Sequence, residues 1–118
     1  MKVKAEAKQK YDNRTAYTNA DWGQMRVAMK QNVFDTFIRS CVVSAAEKGD
    51  TQVILSNMFK NCLMMHNSSL PAPMADGKIN KILNEKLADF NAELQAWLEN
   101  EGLIVAVSNG TLIVSGWA

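Results

Sequence analysis

Histidine occurs once, cysteine twice and proline twice in this chain, and no lysine or arginine follows Lys86. Each scarcity excludes something. His66 has no acid or cysteine beside it in sequence, only Asn67, Ser68 and Ser69. It reads as a residue that caps carbonyls at a helix end or faces water, not as a general base. Cys41 and Cys62 form no CxxC or Cys/His cluster, which argues against a zinc site. Both fit apolar helical patterns and read as reduced core thiols, with a disulfide between two packed helices as the alternative. No run approaches the roughly 18 apolar residues of a membrane span. The Lys-rich start has no 7–15-residue apolar segment of the kind a secretory leader carries, so the expectation is a cytoplasmic protein without a membrane partner. The Asn67-Ser68-Ser69 glycosylation pattern then has no consequence. Asp76-Gly77-Lys78 lacks the glycine spacing of a phosphate loop. The carboxylates are scattered, and Asp89 and Glu93 are ordinary neighbours on a helix face. The sequence offers no catalytic residue, no metal ligand set, no cofactor site and no evident small-molecule substrate.

What the chain does have is an apolar content of 47% over 118 residues, enough for one domain with a real core. Its charge is divided unevenly. Up to Lys86 there are thirteen bases against eight acids, a balance of +5. Beyond it Asp89, Glu93, Glu99 and Glu101 stand alone, a balance of −4. Such asymmetry marks a chain with one basic face.

Residues 1–17 form a basic arm holding Lys2, Lys4, Lys8, Lys10 and Arg14. Val3, Ala5 and Ala7 alternate with charge as in an edge strand, and the Ala, Glu and Lys content suits a helix equally. Residues 18–118 read as a single helical domain. Thr18-Asn19-Ala20-Asp21 has capping-box spacing and opens the first helix. Trp22, Met25, Met29, Val33, Phe37 and Cys41 lie on one side, and Val27, Phe34, Ile38, Val42 and Ala45 widen that stripe. Gly49 suits the left-handed residue that closes a helix. Asp50 then reads as the cap of a second helix over about 51–65, making an αα-hairpin. Asn67-Ser-Ser-Leu-Pro-Ala-Pro73 is an irregular loop. Met64, Met65 and Met74 flank it as candidates for a sticky patch, though most of the seven methionines sit at core spacing.

A third helix, capped by Asp76, presents Ile79, Ile82, Leu83, Leu87, Phe90, Leu94, Trp97 and Leu98 as one stripe, and Gly102 ends it. Leu103 to Val107 reads as a strand, Asn109-Gly110 as a tight turn and Leu112 to Val114 as the returning strand. The two-residue turn pairs Ser108 with Thr111, Val107 with Leu112, Ala106 with Ile113 and Val105 with Val114. One face is Leu103, Val105, Val107, Leu112 and Val114. The other is Ile104, Ala106, Ile113 and Trp117. Both are apolar, whereas a sheet with one wet face alternates. The second face is therefore expected to be covered by the arm, another helix or a second subunit, and Ile104, Ala106, Ile113 and Trp117 are the expected protein interface.

The segment Trp97-Leu-Glu-Asn-Glu-Gly-Leu-Ile104, followed by Gly110-Thr-Leu-Ile-Val-Ser115, resembles the end of winged-helix domains. There a helix steps through a "Glu-Gly-Leu-Ile" turn into a two-stranded wing. The resemblance covers residues 78–117 and implies nucleic-acid binding. This hairpin departs from a DNA-binding wing in holding no Lys or Arg. Nucleic acid would instead meet the arm and the start of the third helix, through Lys8, Lys10, Arg14, Arg26, Lys78 and Lys81. Tyr11, Tyr17 and Trp22 interleave with these bases and offer stacking.

The sequence thus predicts an α+β fold, mainly helical, with three helices and a C-terminal β-hairpin, winged-helix-like, and a third strand if the arm is extended. It predicts a non-enzymatic protein-interaction module, a small regulator or inhibitor that binds another macromolecule as a heteropartner or a homodimer. The alternative is a nucleic-acid-binding regulator of winged-helix type.

Overall fold

The computed structural model describes residues 2–16 and 19–118. Helix α1 spans Lys2–Thr15, and the next helical run comprises α2 (Asn19–Ala28), a π-helical segment (Met29–Ile38) and α3 (Arg39–Glu47). Strand β1 (Gln52–Leu55), helix α4 (Met58–Ser68), helices α5 (Asp76–Glu85) and α6 (Leu87–Asn100), and strands β2 (Ile104–Ser108) and β3 (Thr111–Ser115) complete the chain. The α+β class, mostly helical with a small antiparallel sheet at the end, is as expected.

The arm is a helix, not a strand. Its Ala, Glu and Lys residues favour helix, and Lys8 pairs with Asp12 one turn on, at 2.8 Å. Thr15 is the one buried residue of α1, so the rest of this helix stands in solvent. It carries the molecule out to a longest dimension of 63 Å.

The run from α2 to α3 is one long helix, as its stripe requires. In the π-helical segment the buried residues are Met29, Val33, Phe34 and Ile38, spaced by four and five. That spacing follows an i→i+5 winding, and the amide of Arg39 donates to the carbonyl of Phe34 five residues back. Val27, read as part of the apolar stripe, is exposed. Of the capping box, Thr18 lies outside the described residues. Gly49 closes the run at φ +84°, with the amide of Asp50 donating to the carbonyl of Ala45.

The expected second helix over 51–65 is a correction. Residues 52–55 leave Asp50 as a strand, and the helix starts only at Met58, after Asn57 turns the chain at φ +56°. No αα-hairpin forms. Val53 and Ile54 are β-branched and stiff at χ1, and β3 offers them a ladder. Gln52 pairs with Ser115, Val53 with Val114, Ile54 with Ile113 and Leu55 with Leu112. The sheet thus has a third strand, but it comes from the chain's middle; the alternative of a third strand from the arm is overturned, since the arm is helical. Its order is β1-β3-β2.

The expected third helix bends at Lys86 (φ −115°, ψ 11°) into α5 and α6. Asp76 is not its cap. Ala75 holds that position, and Asp76 lies in the first turn, where a carboxylate still favours the helix dipole. The Pro loop is tied down by the amide of Met74, which donates to the side-chain oxygen of buried Asn67 at 2.6 Å. Gly102 ends α6 at φ +85°, with the amide of Leu103 donating to the carbonyl of Leu98. The hairpin has the register read from its turn, from Ser108–Thr111 to Val105–Val114. Asn109 and Gly110 both take positive φ, as a turn matched to strand twist needs.

The core lies where the long helix, α4 and α6 meet the inner face of the sheet. Phe34, Phe59, Phe90, Leu94, Leu98, Leu112 and Val114 are all at most 2% exposed. Phe59 stacks on Phe90 at 4.6 Å between centroids, and Phe34 meets both Phe90 and Trp97 edge-on.

Candidate interaction surfaces

The outer face of the sheet is built by period-two alternation. Leu112 and Val114 point into the core, so Thr111, Ile113 and Ser115 point out. Register then fixes the neighbours. Ile54, Ile113 and Ala106 form one row across the three strands, and Gln52, Ser115 and Ile104 form the next. Ile104 is 65% exposed and Ile54 58%, Ala106 is exposed and Ile113 half-buried. None of the fourteen strand residues carries a charge.

Three of the four expected interface residues, Ile104, Ala106 and Ile113, therefore share this surface. Trp117 does not. Gly116 at φ +110° breaks the alternation, so Trp117 packs against the core and its indole N–H donates to the carbonyl of Asp50 at 2.9 Å. Among the described residues neither the arm nor a helix covers the face, which leaves Ile54, Ala106 and Ile104 exposed. Ile54 is the member that the sequence reading missed. Its signal was a β-branched pair bounded by Gly49-Asp50 and Ser56-Asn57, a strand signature overruled by helical spacing.

The basic residues divide. Thr15 of α1 packs on Gly77 of α5, which brings the arm beside the start of the third helical stretch. Tyr11, Asp12, Thr15, Gly77, Asn80, Lys81 and Asn84 line the groove between the two helices, a volume of about 260 Å³. Lys8, Lys10 and Arg14 are exposed on the same arm. Lys8 is committed to Asp12, whose hydrogen bond and charge raise its pKa. Arg26 stands apart from this group. It donates to Glu93 at 3.1 Å, and Lys30 pairs with the other oxygen of that carboxylate. Lys78 does not line that groove; it lies 3.8 Å from Asp21 and borders a separate cleft.

Asp21, Gln24, Met25, Ala28, His66, Leu70, Met74 and Lys78 line a cleft of about 320 Å³. His66 is half-buried there, and that burial lowers its pKa because the imidazolium loses water. Met74 packs on the core, while Met64 and Met65 are exposed. Cys41 and Cys62 are free thiols. Among the described residues no three His, Cys, Asp or Glu side chains gather into a metal-ligating group, and no helix is long and apolar enough to cross a membrane. No family model, curated protein or solved structure matches the chain.

Proposed function

We propose that this chain is a non-enzymatic interaction module that regulates or inhibits another protein by docking it on the outer sheet face. The observation that supports this is the uncharged row Ile54–Ile113–Ala106 with Ile104 beside it, in which Ile54, Ala106 and Ile104 are exposed. A surface of this composition loses free energy to water and gains on contact with another apolar surface. It suits a partner whose own contact patch is apolar and uncharged. It does not suit a polyanion, since phosphate contacts dominate nucleic-acid affinity and this face has none to make. The test is affinity capture of cellular partners with and without nuclease, comparing wild type with Ile54→Glu and Ile113→Lys. The reading expects a nuclease-resistant protein partner that both variants lose while keeping wild-type helical circular dichroism. Capture unaffected by either variant overturns it.

A second reading, a nucleic-acid-binding regulator of winged-helix type, draws on the packing of α1 against α5. That packing sets Tyr11 and Lys81 on one polar groove, with Lys10 and Arg14 exposed elsewhere on the same arm helix. Salt-dependent retention on DNA, lost in Lys10→Glu and Lys81→Glu but not in Ile113→Lys, would favour it over the first.

A further inference from the structure

We propose that strand β2 pairs antiparallel with β2 of a second copy of this chain, about a two-fold axis at Ala106. β3 is the central strand, so β2 keeps one open edge. Along an antiparallel strand, successive residues send their backbone groups alternately to the two sides. The pair Ser108–Thr111 closes the two-residue turn and exchanges hydrogen bonds, so Ile104, Ala106 and Ser108 face β3. The N–H and C=O groups of Val105 and Val107 are left at the open edge. An axis at Ala106 sets Val105 opposite Val107 of the second copy and Val107 opposite its Val105. All four residues then exchange their edge hydrogen bonds, with no group left over.

Charge selects the second copy as occupant. Residues 104–108 hold no charge and no proline, and their register with β3 is unbroken by a bulge. Charge, proline and a bulge are devices that ordinarily keep an edge from pairing, and β2 has none of the three. An uncharged strand meets its own copy without repulsion, whereas the basic arm or the acidic end of α6 would repel theirs. The side chains agree on both faces. Val107 lies on the inner side of the sheet yet is 54% exposed, and Val105 of the second copy comes to rest against it. On the outer side the row Ile54–Ile113–Ala106 continues into Ala106, Ile113 and Ile54 of the second copy. An apolar stripe then crosses six strands, roughly 24 Å between the outermost two. The pairing uses the edge of β2 and stands whether or not the outer face docks another protein.

Light scattering on the full chain tests it. The wild type is expected at twice the 13.1 kDa chain mass. Ala106→Lys sets two ammonium groups against each other at the axis and halves the mass, as does Ala106→Glu with two carboxylates. An equimolar mixture of the two restores the doubled mass, since only a two-fold through residue 106 makes them partners. Gln52→Lys, on the same face but on the far strand, leaves the dimer intact. Val107→Pro, which deletes an edge donor and no β2–β3 bond, weakens it. A wild type at single-chain mass overturns the proposal. So does a mixture that stays monomeric while both variants fold, or a Gln52→Lys that dissociates, as packing face to face would require.

Discussion

The methyl group of Thr15 sits against the bare α-carbon of Gly77, where a β-carbon would lie 2.4 Å from it. Thr15 cannot easily turn away, because it is β-branched and its hydroxyl donates to the carbonyl of Tyr11 at 3.0 Å. This close approach is what holds the exposed arm to the body.

Gly77→Ala is therefore expected to prise α1 from α5. The core lies elsewhere, so global stability should fall by about 1–3 kcal/mol at most, the usual cost of a local overpacking. Limited proteolysis is the sharper measurement. Cleavage after Lys8, Lys10 and Arg14 should accelerate, while residues 15–118 remain as a resistant fragment.

Phe90 touches two partners at once, stacked on Phe59 and edge-on to Phe34, and is 1% exposed. Phe90→Ala is expected to cost about 3–5 kcal/mol by urea denaturation, the range for deleting a buried ring and leaving a cavity. Phe90→Leu, which keeps most of the volume, should cost less than half as much. Equal losses would mean that the aromatic contacts, and not filled volume, carry the site.

His66 gives the fold a dependence on acid. Burial lowers its folded-state pKa below the ordinary 6.5, so between the two values the unfolded chain binds more protons. Its contribution is complete above 6.5 and is lost as the pH falls through the lowered value. Wild type should lose more thermal stability than His66→Gln between pH 7 and pH 5. Parallel curves for the two proteins would show that the imidazole is not the group responsible.

Cys62 is buried, and burial, with a smaller contribution from the nearby Cys41, pushes its thiol up to about 12. The thiolate is the reactive species, so Cys62 should resist a thiol reagent at pH 8 in the native state. Cys41 is half-buried, and burial raises it as well. It should label first, though slowly, and both should label at once in denaturant. Mass spectrometry after timed quenching distinguishes the sites.

By itself the sequence determined what depends on neighbours along the chain. Asn109-Gly110 fixed the turn and with it the entire β2–β3 register, because a two-residue loop leaves no choice of partner. Gly49 and Gly102 ended their helices, because each position needs a positive φ that only glycine takes without a steric cost. The apolar repeats of 22–45 and 79–98 placed the core. Tertiary structure decided what depends on a remote partner. Val53-Ile54-Leu55 suits helix or strand, and pairing with β3, some sixty residues on, selected the strand. That pairing carried Ile54 to the outer face beside Ile113. Trp117 follows a two-residue alternation in sequence and belongs with Ile113, until Gly116 turns it to the carbonyl of Asp50. Local preference differs by about 1 kcal/mol between helix and strand, and a ladder of hydrogen bonds over a buried face outweighs it.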